Sequence, residues 1–136
     1  MKRPHLLFIT TDQQRGDCLG INGHPVLSTP NLDYLGRAGS NFPHAYAETP
    51  SCIPARRTMI SGMKPFSHGM VGYQDRIEWE LEHSLPGELA KAGYQTELVG
   101  KLHLWPHRKR YGFEHLTWAD SPRSPNDYTD WLRDNG

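Results

Sequence analysis

The chain has 136 residues, room for one domain or for part of a larger one at ~100–200 residues per domain. Fifteen Lys and Arg against 15 Asp and Glu leave a formal charge of zero, so no global field draws it to nucleic acid or to an acidic membrane. Two cysteines, Cys18 and Cys52, are too few for a disulfide framework or a four-thiolate zinc site. Thirteen glycines and 11 prolines indicate a loop-rich chain, while 4 Trp, 6 Tyr and 4 Phe supply the apolar mass that a disordered tail lacks. The run Leu6-Leu7-Phe8-Ile9 falls far short of the ~18 apolar residues of a membrane span. It is also shorter than the ~7–15 of a secretory signal, so a cytoplasmic location is the expectation.

From His5 to Thr10 the apolar run reads as a buried strand, closed by the polar cluster Thr10-Thr11-Asp12-Gln13-Gln14. Residues 15–28 form a loop containing Gly and Pro. Thr29-Pro30-Asn31-Leu32 is a helix start, with Thr29 as N-cap and Pro30 at the first helical position. Leu32 and Leu35 share a face of that helix, and Gly39 is its natural stop. Residues 41–49 are irregular, with room for a short strand. A second helix opens at Pro50-Ser51-Cys52-Ile53-Pro54 and stops at Ser61-Gly62; Ser84 caps a third, from Leu85 to Ala92. Tyr94 to Val99 and Phe113 to Trp118 read as strands, and Asn126 to Arg133 as a short amphipathic helix carrying Tyr128, Trp131 and Leu132. Strands alternating with helices give an α/β fold, in which ligands bind outside the carboxyl ends of the strands.

Three groups of residues could carry chemistry. Asp12 and Gln13, at the first strand's exit, are either an ordinary polar ending or a pair of oxygen ligands for a hard cation such as Ca²⁺ or Mg²⁺. Cys52 opens a helix, where free backbone N–H groups and the positive end of the helix dipole favour an anion. Pro54 is tolerated in that first turn, and Arg56 is placed to hydrogen-bond an anion or oxygen at position 52. A phosphatase-type Cys-x5-Arg loop is excluded, since position 58 is Thr58. Lys101 and His103 lie two apart after a strand, so in an extended segment both face the same side. A cation and an imidazole there suit charge stabilisation and proton transfer. The basic cluster His107-Arg108-Lys109-Arg110 reads as a solvated loop, and the acidic stretch from Asp75 to Glu88 as a solvated face. Aromatics are not interleaved with the basic cluster as nucleic-acid binding requires. Cys18 reads as structural, and His68-Gly69 as a turn.

Pro50-Ser51-Cys52-Ile53-Pro54-Ala55-Arg56-Arg57-Thr58-Met59-Ile60-Ser61-Gly62 resembles the first signature of the sulfatase family of the alkaline-phosphatase superfamily, built on Cys-x-Pro-x-Arg. Gly93-Tyr94-Gln95-Thr96-Glu97-Leu98-Val99-Gly100-Lys101-Leu102-His103 resembles the second, and Thr29-Pro30-Asn31-Leu32-Asp33 and His68-Gly69 sit where the family has such residues. The resemblance runs from Leu6 to about Phe113 and implies an alkaline-phosphatase-like sheet flanked by helices. It implies that Cys52 is oxidised by a maturation enzyme to formylglycine, an aldehyde that hydrates to a geminal diol. Arg56 then steadies that residue, Lys101 and His103 bond the diol and the sulfate, and Asp12, Gln13 and residue 52 ligate Ca²⁺ or Mg²⁺. The metal lowers the pKa of one diol hydroxyl, which attacks sulfur; the alcohol leaves, and the second hydroxyl then expels sulfate.

The implied activity is hydrolysis of a small-molecule or saccharide sulfate ester, with no nucleic acid or membrane partner. Gln13 stands where many members have a second Asp, a form also found in branches that cleave phosphonate monoesters and phosphodiesters, so that class is the alternative. Ile53, Ser61 and Leu102 also depart from the common pattern. Family members are several times longer, and their later half supplies further metal and sulfate ligands. Residues 1–136 are therefore expected to be the N-terminal part of a sulfatase catalytic domain, inactive in isolation, with an inert truncated family member as the remaining alternative.

Overall fold

Four helices, a 3₁₀ turn and a two-stranded parallel sheet make up the regular structure of residues 3–120 and 126–136, the part of the chain described by the computed structural model. The chain divides into two units, Met1–Tyr46 and Ala47–Gly136.

In the first unit, helix α1 (Pro30–Ala38) starts where Pro30 fixes the backbone. Thr29 precedes it, but its hydroxyl does not bond the helix N–H groups. Instead it donates to Asp33 Oδ1 (2.7 Å) and accepts from the Gly20 N–H (2.8 Å), which opens the 3₁₀ turn Gly20–Asn22. The Ile21 N–H also donates to Asp33 Oδ1 (2.9 Å). The Thr29 hydroxyl is the main reason that this carboxyl lies below the usual carboxylate range. The helix is thus fastened through buried Asp33 rather than through an apolar face: Leu32 and Leu35 remain 44% and 59% exposed. The expected strand at residues 5–10 does not form, and Leu6 to Ile9 are 62–86% exposed. A strand exists only with a partner for its ladder, and no described residue pairs with this segment. Residues 41–49 likewise hold no strand.

The second unit follows the expected order more closely. Helix α2 (Cys52–Ser61) begins after extended Ser51 and ends at Gly62, whose φ of 70° is the left-handed conformation that glycine adopts at low cost. Helix α3 (Leu85–Lys91) is capped by Ser84, whose Oγ accepts from the Gly87 N–H (3.0 Å). Strands β1 (Glu97–Gly100) and β2 (His115–Trp118) pair in parallel, with Glu97 opposite His115 and Gly100 opposite Trp118. Both start later than their apolar patterns suggest. The Thr96 N–H donates to Glu114 Oε2 (3.0 Å), and the Glu114 N–H is shared between Thr96 Oγ1 (3.0 Å) and the Thr96 carbonyl (3.1 Å), so side chains join the backbone bonds at the head of the sheet. Helix α4 (Asp127–Asn135) begins with a reciprocal cap between Asn126 and Thr129. It is tied to β2 by Asp127, which accepts from the Trp118 N–H (2.6 Å), while Tyr128 and Trp131 on its expected apolar face are each 58% exposed.

The core of this unit is Ile53, Met70, Trp79, Leu102, Leu104, Tyr111 and Trp118. Trp79 lies 5.8 Å from the Tyr111 ring and 6.2 Å from the His68 ring, with the Arg57 guanidinium 4.9 Å above its face. Burial pushes the Tyr111 phenol up to about 12, and its hydroxyl donates to the Trp105 carbonyl. The basic cluster is committed to this packing: Arg108 pairs with Asp127 (2.6 Å), Lys109 with Glu80 (2.7 Å), and Arg110 donates to the Glu114 carbonyl (2.9 Å). Gly112 sits at φ 97°, and a Cβ there would stand 2.5 Å from Gly87 N and 2.8 Å from Gly87 Cα. Gly112→Ala is therefore expected to destabilise the protein by more than ~1 kcal/mol, because both the conformation and the space exclude a side chain. A chemical-denaturation midpoint no lower than wild type would contradict this packing.

Candidate active site

Helix α2 places Cys52 at its first position, half-buried, with Ile53 and Pro54 turned into the protein. One turn on, Arg56 is 8% exposed, and its Nη1 donates to the Lys101 carbonyl oxygen across 2.6 Å. That bond joins the start of α2 to the segment leaving β1, two stretches 45 residues apart in sequence. It is charge-assisted, of a kind worth ~1.5–3 kcal/mol, and it is made to backbone, so it fixes the course of residues 101–103 whatever their side chains do.

Lys101 and His103 are both half-buried. The expectation that they share a side rested on extended backbone, and His103 departs from it with a φ of 52°. A non-glycine residue in the left-handed region carries strain of ~1–3 kcal/mol, and such residues gather at functional sites. Nδ1 of His103 is buried without a hydrogen-bond partner, and the ring meets the Tyr73 ring edge-on at 6.1 Å. Burial chiefly holds this imidazole below the ordinary histidine value; Lys101 and Arg56 push the same way, and Asp120 and Asp75 oppose them. Burial thus favours the neutral ring, with two carboxylates and two cations acting on it in opposite directions.

Asp12 and Gln13 belong to the first unit, and Gln13 is also left-handed (φ 58°). Their carboxylate and amide oxygens are hard donors of the type Ca²⁺ and Mg²⁺ take. Among the described residues, no group of three or more His, Cys, Asp or Glu is arranged to hold a metal ion. The donor chemistry fits a hard cation, but these two residues alone do not complete the ~6–8 oxygens of Ca²⁺.

His68, read as part of a turn, is buried at 6% exposure, with Nε2 3.1 Å from Thr58 Oγ1 and Nδ1 unpartnered. It pins the 64–70 turn against α2. Burial lowers its pKa, with nearby Arg57 adding to the effect, so the folded state favours the neutral ring. The sign follows. The unfolded chain binds the proton more readily, so stability is full above the ordinary value of 6.5 and is lost as pH falls through the folded value. Thermal midpoints are expected to drop below pH 6.5, and His68→Gln to flatten that acid limb. An unchanged limb in the variant would remove His68 from the account.

The sulfatase family profile matches residues 4–135. The chain belongs to the sulfatase family. Among curated relatives, it is 44% identical over 118 residues to an arylsulfatase of Clostridium perfringens, covering 87% of this chain and 24% of that protein. It is 33% identical over 135 residues to the N-acetylgalactosamine-6-sulfatase of Mus musculus, covering 88% of this chain and 26% of that protein. Among solved structures, this sulfatase-family chain superposes on a phosphonate monoester hydrolase of Agrobacterium radiobacter with a TM-score of 0.79 and 27% identity, over 98% of this chain and 29% of that one. Its fold is thus the alkaline-phosphatase-like α/β fold of that hydrolase. The chain spans about a quarter of the length of the curated relatives it matches. No helix among the described residues is long and apolar enough to cross a membrane.

Proposed function

We propose that this chain is the nucleophile-bearing part of a sulfuric ester hydrolase, and that its 136 residues act within a larger catalytic domain. The observation that carries the reading is the Arg56–Lys101 hydrogen bond, which joins the Cys-x-Pro-x-Arg helix to the Lys-x-His segment at 2.6 Å. A sulfate ester carries negative charge, and more gathers on the departing oxygen as the ester cleaves. Cations fixed in advance offset that charge without reorganising. Lys101 supplies one, and the amide N–H groups at the start of α2 supply partial positive charge. Arg56 is a positioning residue, since its guanidinium holds the Lys101 carbonyl and so the approach of residues 101–103 to α2.

Residue 52 is proposed to act as formylglycine. Its formation removes two electrons and two protons from the thiol-bearing carbon, replaces sulfur by an oxygen from water, and releases sulfide; the oxidant belongs to the maturation enzyme. The hydrated aldehyde offers two hydroxyls, one to attack sulfur and one to release the product, which a serine or an unmodified cysteine does not. His103, neutral near pH 7, is able to take a proton. Asp12 and Gln13 are proposed ligands of Ca²⁺ or Mg²⁺, which when bound would acidify a hydroxyl.

The second reading, a phosphonate monoester or phosphodiester hydrolase, is favoured by Gln13 in place of a second acidic ligand and by the Agrobacterium structure. Steady-state kinetics of the full, matured polypeptide on an aryl sulfate and an aryl phosphonate monoester separate the two. The sulfatase reading expects kcat/KM at least about ten-fold higher on the sulfate. A preference for the phosphonate overturns it.

A further inference from the structure

The chain leaving Asp12 and Gln13 is held by bonds that run back to helix α1. Gln14, the next residue, donates from Nε2 to the Cys18 carbonyl (3.4 Å), and the Cys18 N–H donates to the Arg15 carbonyl (3.1 Å), so residues 14–18 close on themselves. Asn22 Nδ2 donates to the Gly16 carbonyl (2.7 Å), which ties that turn to the 3₁₀ segment Gly20–Asn22. Asn22 Oδ1 in turn accepts from Asn41 Nδ2 (2.9 Å). The 3₁₀ segment is anchored on Asp33, whose Oδ1 accepts from both the Ile21 N–H and the Thr29 hydroxyl, while that hydroxyl accepts from the Gly20 N–H. The fit leaves no slack: a Cβ on Gly20 would overlap Asp33 Oδ2, and one on Gly36 would stand 2.6 Å from Ile21 Cδ1. Among the described residues of the first unit, Asp33 alone is buried, at 9% exposure.

Gln13 itself is left-handed (φ 58°), and a non-glycine residue keeps that conformation only where its surroundings enforce it. The bonds from Gln14 to Asp33 are that enforcement. Groups that orient metal ligands from behind typically change metal affinity by ~10–100-fold when removed. We propose that Asp33 is a positioning residue for the cation-binding pair Asp12–Gln13, acting through Asn22 and the 14–22 loop. It acts through bonds rather than charge, since both hydrogen bonds use Oδ1 and Oδ2 lies against Gly20. This rests on the reading of Asp12 and Gln13 as ligands of Ca²⁺ or Mg²⁺ and adds the residues that hold them.

The test strips the full, matured polypeptide with a chelator and titrates it with Ca²⁺, and separately with Mg²⁺, by isothermal titration calorimetry. Asp33→Ala and Asn22→Ala are each expected to raise Kd for the cation that wild type binds about ten-fold or more. Asp33→Asn, whose amide oxygen can take the place of Oδ1, keeps both bonds and is expected to stay within about three-fold of wild type. Trp79→Phe, in the second unit, is expected to lower the melting temperature of the stripped protein and leave Kd in place, which separates positioning from general stability. Asn22→Ala, at a half-buried residue, decides alone if Asp33→Ala does not fold. An unchanged Kd in the alanine variants overturns the inference, as does an equal rise in Trp79→Phe or a loss in Asp33→Asn as large as in Asp33→Ala. A wild-type protein that binds neither cation overturns the ligand reading beneath it.

Discussion

Cys52→Ala in the full, matured polypeptide is expected to lower sulfate ester turnover by roughly 10⁴–10⁶-fold, the scale seen when a nucleophile is removed, while Cys18→Ala stays within a few-fold of wild type. The two thiols are equally half-buried, so exposure does not distinguish them. Their settings do. Cys52 heads a ten-residue helix whose first turn carries Arg56, and Arg56 is bonded to the segment bearing Lys101 and His103. Cys18 sits in a turn, and its Sγ–H donates to Asp17 Oδ1 (3.8 Å) rather than facing a helix start. Comparable losses in both variants, measured as kcat on a chromogenic sulfate, would mean that the nucleophile is misassigned.

Trp79→Ala is expected to cost ~3–5 kcal/mol, a large share of the 5–15 kcal/mol that holds a typical domain folded. At 6% exposure this ring gathers Tyr111, His68 and the Arg57 guanidinium, and its carbonyl accepts from Lys109 Nζ (3.1 Å). Truncation opens a cavity and strips the aromatic face from a buried cation whose Nε already lacks a partner. Trp79→Phe keeps most of the contact and is expected to lose less than half as much. Urea denaturation monitored by circular dichroism measures both, and a loss below about 1 kcal/mol for the alanine variant would show that the core is centred elsewhere.

What the sequence made legible was local. The three helices of the second unit were readable from Pro54 and Gly62, from the Ser84 cap, and from the apolar pattern ending at Asn135-Gly136, because breakers and caps act within one turn. The strands were readable as apolar runs, but their starts were displaced by the Thr96–Glu114 exchange, which links residues 18 apart. Residues 5–10 failed as a strand for a related reason, since pairing depends on distant residues and hydropathy does not supply them. In the site, Cys52, Arg56, Lys101 and His103 were marked by two short motifs. The Arg56–Lys101 bond and the left-handed turn at His103 were not, because neither leaves a pattern in residue types.

Peptide mass spectrometry of the protein, matured alongside a formylglycine-generating enzyme and shown to be active, tests the central claim most directly. The account predicts that the peptide containing residue 52 is lighter by about 18 Da than its unmodified form, with Cys18 retaining its thiol. An active preparation whose Cys52 carries only the native sulfhydryl would contradict it.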